Sequence, residues 1–396
     1  MEANPREQTT RERDSKRTTS PGGVALAVAR KRRARMSLVP VQPEEAARSA
    51  GLHYVSTSPL PPGIRRVKKG KGFRYLAPDG STIDSKNEIA RIHAIVIPPA
   101  WTEVWISPSP VGHIQALGRD ARGRKQYRYH ERWRDVRDED KFGQLVAFAA
   151  MLPSIRRRVR RDLARRGLPR EKVIAVVVRL LELTMMRIGN EEYRRSNRSY
   201  GLTTLREHHV TVRGHALELQ FRGKAGKEHK VRVEDPRLSR IVKKCQDLPG
   251  YELFQYVDEE GKRQSVDSAD VNAYLREITG AEVTAKVFRT WAGTVRAMAA
   301  MRALKRESGP GKKKGTNRLL VEVVKTVARE LGNTPAVCRK CYIHPALTQS
   351  FQRGDLQQRL ASLAAHPVTI SGLDADERLT LAFLSESAER AARAVA

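Results

Sequence analysis

The spacing of apolar positions changes near residue 135. Between Gly51 and Trp133, apolar residues come in short runs broken by turn formers. "GIRRVKKGKGFRYLAPDG" predicts two strands joined at Gly-Lys-Gly and closed by Pro-Asp-Gly, because glycine and proline punctuate a chain where it must turn tightly. "GHIQALGRDARGRKQYRYH" predicts two more strands around a glycine-containing turn, and "SKNEIARIHAI" predicts a short helix. After Asp138 the period lengthens. "KFGQLVAFAAML", "EKVIAVVVRLLELTMMRIG", "KVFRTWAGTVRAMAAMRALK" and "NRLLVEVVKTVARELG" carry apolar residues at helical spacing. One alternating stretch interrupts them, "HHVTVRGHALELQFRGKAGKEHKVRV". Turn residues at Arg213-Gly214 and Gly223 to Gly226 divide it into a three-stranded sheet with a tight Lys-Ala-Gly loop. Residues 355–396 add two helical stretches, and no internal repeat is present.

These patterns predict an α+β chain. Residues 1–47 form a basic arm, 48–135 a small β-rich N-terminal domain, 136–352 a larger, mainly α domain containing the three-stranded sheet, and 353–396 a helical extension. A length of 396 residues suits more than one domain, and 40% apolar residues suffice for real cores. The arm is rich in Arg, Lys, Ser, Thr and Pro and buries too little to order itself. Within it, "ARKRRAR" (Ala29 to Arg35) suits a nuclear import signal or a DNA-contacting arm equally.

Charge narrows the partner. The 75 Lys and Arg against 44 Asp and Glu leave a net charge of +31. An excess of that size favours a polyanion, most commonly DNA or RNA, with an acidic membrane surface as the rival. No apolar run approaches the ~20 residues needed to span a bilayer. The N-terminus has no apolar core of a signal peptide either, so the chain reads as soluble and intracellular.

The stretch "NTPAVCRKCYIHPAL" places Cys338 and Cys341 against Tyr342. Three readings stand: half of a zinc site completed by His344 and Cys245, a redox pair, or ordinary helical cysteines beside a reactive tyrosine. Three cysteines in all make a disulfide framework a poor fit. Tyr342 would intrude on a zinc cluster, and Ala336 to Tyr342 reads as helix rather than a zinc knuckle, which favours ordinary cysteines. "GPGKKKGTNR" (Gly309 to Arg318) lacks the spacing of a phosphate-binding loop and has no strand before it, so it reads as a basic loop between helices. Nothing in the sequence implies ATP use.

If the partner is nucleic acid and the chemistry is at phosphate, a site needs a nucleophile, positive charge for the non-bridging oxygens and an acid for the leaving oxygen. No Asp/Glu cluster of the two-metal kind is evident, so side chains must supply the charge. Arg187, in "MMRIGNEEY", reads as a phosphate clamp or as a helix-terminal charge complementing the dipole. Lys224, in "FRGKAGKEHK", reads as a proton donor held forward by a turn or as a plain loop lysine. Arg289 stands among Val287, Phe288 and Trp291, where a charge must be paired or face a site; Arg296 shares this less. Asn333 can donate a hydrogen bond to a phosphate oxygen. Tyr342 is a packed tyrosine or a nucleophile, and a phenol needs positive neighbours to react. His208, His209, His229 and His344 read as surface or internally satisfied histidines.

These five positions fall in one order, with Tyr342 nine residues after Asn333. The motifs "RIGNEEY", "FRGKAGKEH", "AKVFRTW" and "LGN-x8-Y" together resemble the type IB DNA topoisomerases, in the compact branch found in poxviruses and bacteria. "GRDARGRKQYRYHERW" is similar to that family's N-terminal DNA-contacting segment, and the resemblance runs from about residue 51 to 350. It implies that Tyr342 attacks a DNA phosphodiester to form a 3′-phosphotyrosyl link, that Arg187, Arg289 and Asn333 hold the non-bridging oxygens, and that Lys224 protonates the leaving 5′ oxygen. It implies relaxation of positive and negative supercoils without ATP or a required cofactor, a divalent cation being at most a stimulant. Implied DNA contacts are Gln126, Tyr127, Tyr129, Tyr193 and Lys286. The implied shape is a C-clamp of β-rich and helical domains, sharing the tyrosine recombinase catalytic fold, which closes on duplex DNA. The protein would act as a monomer away from membranes, in the cytoplasm and on the nucleoid if bacterial. One departure is Asn333, where many members carry histidine; its amide donates but carries no charge. The alternatives are a tyrosine recombinase and a non-catalytic nucleoid-binding protein. Recombinases usually place histidine where Lys286 stands, and their N-terminal domain is typically helical.

Overall fold

The computed structural model describes residues 43–70, 72–121, 123–304, 313–367 and 369–395. The expected basic arm lies outside the described residues up to residue 42, and the "GPGKKKGTNR" loop does so through residue 312.

A short helix α1 (Pro43–Ser49) precedes the first sheet. Strands β1 (Ile64–Lys69) and β2 (Gly72–Leu76) form the expected hairpin, and α2 (Lys86–Ala94) begins at Ser85, whose hydroxyl accepts the Glu88 N–H. Strands β3 (Thr102–Ile106), β4 (Ile114–Arg119) and β5 (Lys125–Tyr129) complete an antiparallel sheet of order β2-β1-β3-β4-β5. The sequence reading did not include β3. Its alternation is hidden by a register shift between Thr102 and Trp105 and by Glu103 at a φ of 48°. Both faces of the sheet are covered. Ile64, Tyr75, Val104, Ile106 and Ala116 pack with Ile92 of α2. Trp105, Ile114 and Leu117 pack with Val55.

Helix α3 (Glu131–Leu163) then runs through residue 135 without a break, so a helix rather than a linker carries the chain onward. Trp133 near its start packs against Ala46, Ala47 and Leu52, while Leu145 to Val159 enter the large core. Helix α4 (Arg170–Thr184) is buried from Lys172 through Val178. A helix apolar on all sides belongs inside, and its valine run follows burial rather than helix propensity. After α5 (Glu191–Asn197) comes the antiparallel sheet of β6 (Val210–Arg213), β7 (Ala216–Arg222) and β8 (Glu228–Glu234), in that order. Helix α6 (Pro236–Gln246) and the hairpin of β9 (Gln255–Val257) and β10 (Arg263–Ser265) follow. The remaining helices are α7 (Ser268–Thr279), α8 (Ala285–Ala303), α9 (Lys313–Glu330), α10 (Pro335–Cys341), α11 (Pro345–Arg353), α12 (Leu356–Ala365) and α13 (Ala375–Val395).

One core joins these helices and the second sheet, from Phe142 through Phe221 and Trp291 to Phe383 and Leu384. The last helix is therefore part of the core. Glu377 on α13 accepts the Trp291 indole N–H at 3.3 Å and a bidentate pair from Arg156 at 2.7 and 2.8 Å. Arg156 also bonds Glu182 of α4 at 2.6 Å. The chain thus has an N-terminal sheet and a mainly helical second region, the mixed architecture expected.

Candidate active site

Three turns and two helices assemble the site. Helix α10 starts at Thr334, whose hydroxyl accepts the Val337 N–H, with Pro335 at the first helical position where no N–H is needed. Tyr342 closes the helix, its N–H donating to the Cys338 carbonyl at 2.9 Å. Its backbone rests on Gly293 of α8: a Cβ there would lie 2.6 Å from the Tyr342 carbonyl oxygen. Thr294 binds the same carbonyl at 3.3 Å and receives the His344 N–H at 3.2 Å. Neither Gly293 nor Thr294 was singled out from sequence. The signal was present, since glycine inside an apolar helix costs about 1 kcal/mol against alanine and marks a close approach.

Arg289 is 3% exposed, on the buried side of α8. Its guanidinium donates to the carbonyls of Met185 and, at 2.7 Å, Leu331. It lies over the Tyr342 ring, 5.1 Å from the centroid, as cation–π attraction favours. Burial lowers its hold on the proton, Tyr342 offsets part of this, and Arg187 adds to the lowering. Helix α4 stops at Thr184, because Met185 turns left-handed, at φ 54°. Arg187 therefore stands beyond the helix, not at its end, and the dipole reading loses its basis. The Leu202 N–H binds the Arg187 carbonyl at 2.9 Å and pins that segment. The Arg187 guanidinium donates to Asn333 Oδ1 at 2.5 Å, and Asn333 Nδ2 donates to the Leu331 carbonyl at 3.3 Å.

Lys224 begins the tight turn between β7 and β8, with Ala225 left-handed at φ 63°. An open cleft of about 300 Å³ is lined by Arg187, Lys224, Lys286, Arg289 and Tyr342, with Tyr200 and Asn190 at its wall. Asn333 joins through Arg187. The five residues singled out for chemistry thus meet at one place, and Tyr200 is a wall residue that sequence reasoning missed.

The remaining candidates fall elsewhere, apart from Lys286. Gln126, Tyr127 and Tyr129 lie on the edge strand β5. Gln126 donates to Asp120 at 3.0 Å. Tyr127 and Tyr129 stack at 5.8 Å and pack partly against the Trp105 cluster, so they serve the sheet core as well as its surface. The Tyr193 side chain lies outside the described residues. Cys338 is buried in the core, and burial pushes its thiol up to about 11; Cys245, also buried, is pushed up to about 12. Among the described residues no group of three or more His, Cys, Asp or Glu is placed to hold a metal. No described helix is long and apolar enough to cross a membrane.

A tyrosine held over one guanidinium and near a second, in a basic open cleft, is equipped to attack a phosphodiester. Comparison with known proteins identifies the family. The family described as eukaryotic DNA topoisomerase I, catalytic core, matches residues 130–364, and bacterial DNA topoisomerase IB, N-terminal domain, matches residues 72–120. The chain is 34% identical over 285 residues to "DNA topoisomerase 1B" of Acanthamoeba polyphaga mimivirus, which covers 71% of this chain and 85% of that protein. It is 24% identical over 265 residues to "DNA topoisomerase 1" of Mycosarcoma maydis, covering 59% of this chain and 25% of that one. The chain belongs to the type IB DNA topoisomerase family.

Proposed function

We propose that this protein relaxes supercoiled duplex DNA by passing one strand end through Tyr342. The phenolic oxygen attacks phosphorus, its proton leaves to water, and the bond to the 5′ oxygen breaks. Arg187 and Arg289 hold the non-bridging oxygens as charge gathers on them, and Asn333 keeps Arg187 in place. The Lys224 ammonium gives its proton to the leaving 5′ oxygen. The freed end swivels, the 5′ hydroxyl attacks the phosphotyrosine while Lys224 takes its proton back, and the bond from phosphorus to Tyr342 breaks, the phenol regaining its proton from water. One phosphodiester is exchanged for another, so the cycle runs without ATP, and these side chains meet the charge requirement without a cofactor.

The observation that carries this reading is the meeting of Tyr342, Arg289 and Lys224 in one cleft, with Arg187 held by Asn333 beside them. The N-terminal sheet and the helical region would close as a clamp on the duplex, with Gln126, Tyr127, Tyr129, Tyr193 and Lys286 as contacts, and one chain would suffice. Lys286 and the β-rich N-terminal region count against a recombinase. The test is plasmid relaxation in EDTA without ATP. The parent is expected to relax supercoils of both signs. Tyr342→Phe is expected to bind duplex and relax none; a Tyr342→Phe protein that relaxes plasmid removes the nucleophile from this scheme.

A further inference from the structure

His229 has no part in the chemistry above, yet it sits where two of its turns meet. It lies on β8 opposite Phe221 of β7, and the rings stack at 5.1 Å with an interplanar angle of 20°. Two glycines make room for the imidazole. A Cβ at Gly223 would lie 2.6 Å from the ring's Cδ2 and Nε2, and one at Gly332 would lie 2.6 Å from Cε1. Gly332, at φ +62°, has a backbone reason to be glycine. Gly223 has none, since its φ of −95° and ψ of −165° are extended backbone open to any residue. The ring is what excludes a side chain there.

The two notches belong to different parts of the site. Gly223 immediately precedes Lys224, and Gly332 immediately precedes Asn333, which holds Arg187. The imidazole is therefore a spacer between the turn that carries the acid and the turn that braces the phosphate clamp. Its surroundings keep it neutral: burial is the main cause, Arg187, Arg289 and Lys227 add to it, and Glu228 opposes them. A neutral ring keeps its place between the turns without adding a further cation beside the guanidinium groups.

We propose that His229 is a positioning residue that sets Lys224 against the Asn333–Arg187 pair, so that acid and clamp act on one phosphate. This rests on the roles given above for Lys224, Arg187 and Tyr342. A displacement of about 1 Å at such a site can cost on the order of 100-fold in rate.

The test uses the full chain and a duplex whose cleavage site has first been mapped by denaturing trapping. His229→Ala is expected to bind duplex within about twofold of the parent while single-turnover cleavage falls at least ~10-fold. If His229 works through Lys224, the losses do not multiply: Lys224→Ala with His229→Ala cleaves within about twofold of Lys224→Ala alone. A 5′-bridging sulfur in place of oxygen leaves without an acid, so it is expected to bring His229→Ala back to within about threefold of the parent. Gly223→Ala should slow cleavage by pushing on the ring, and adding His229→Ala should recover rate relative to Gly223→Ala alone. Multiplying losses, or no recovery with the sulfur substrate, overturns the proposal. A merely structural role would give neither the recovery nor the non-additivity. Where His229→Ala melts too low to assay, His229→Gln takes its place in the same cycle. An active Tyr342→Phe would bring down the reading beneath; an inactive one with multiplying losses would bring down this proposal alone.

Discussion

At the scale of single residues, Asn333 shows how much an uncharged side chain can do. Its oxygen receives the Arg187 guanidinium and its amide nitrogen is tied to the Leu331 carbonyl, so its orientation is set from both ends. Asn333→Asp should then harm more than Asn333→Ala. A carboxylate would capture Arg187 in an ion pair and repel the phosphodiester, and a cleavage rate lower by roughly 100-fold is expected, against about tenfold for alanine. Single-turnover cleavage measures both; an aspartate variant as active as the parent would remove Arg187 from the phosphate. The residues differed in how readable they were. Arg289 announced itself, because a charge among Val287, Phe288 and Trp291 needs a reason. Arg187 and Asn333 did not, since each acquires its meaning from a partner 146 positions away. Tyr342, 9% exposed, is packed and also faces a guanidinium, so both readings of it hold together.

At the scale of elements, strong periodicity was legible and short or interrupted segments were not. The helices of the core and the hairpin around Lys224 follow from apolar spacing and turn residues. Strands β3, β9 and β10 do not, being bulged or only three residues long. Helix starts add a dependence on pH. His344 caps α11, its Nδ1 accepting the Ala346 N–H at 3.1 Å, and His209 Nδ1 accepts the Arg206 N–H at 3.0 Å. Burial first, then Lys141, pushes His344 down to about 4. Burial, then His208 and Arg206, pushes His209 to about 4. Each folded-state pKa lies below the unfolded value near 6.5, so the unfolded chain takes up protons first as pH falls. Their contribution is complete above about pH 6.5 and is lost as pH falls toward about 4. Melting temperature should accordingly drop between pH 7 and 4.5, and His344→Gln, which cannot titrate, should flatten that slope. An unchanged slope in His344→Gln would clear this cap of a role in acid sensitivity.

At the scale of the whole molecule, a charge of +31 predicts a binding constant that falls steeply with salt. Contacts to several phosphates release several counterions, and a log–log slope steeper than about −4 is expected for the Tyr342→Phe protein on duplex. Filter binding from low to high salt measures it, and a flat line would contradict a basic clamp. Overall charge and the order of motifs were visible in the sequence; the union of the C-terminal helix with the core was not. It depends on Phe383, Arg156 and Glu377, whose partners lie far away along the chain.

That union has a consequence for synthesis. Trp291 stands two residues past Arg289, and its indole leans on a carboxylate delivered by α13. A nascent chain that has emerged only as far as residue 374 already displays the tyrosine and both arginines, but without the brace behind them. Full support for α8 therefore waits on α13, the last helix among the described residues.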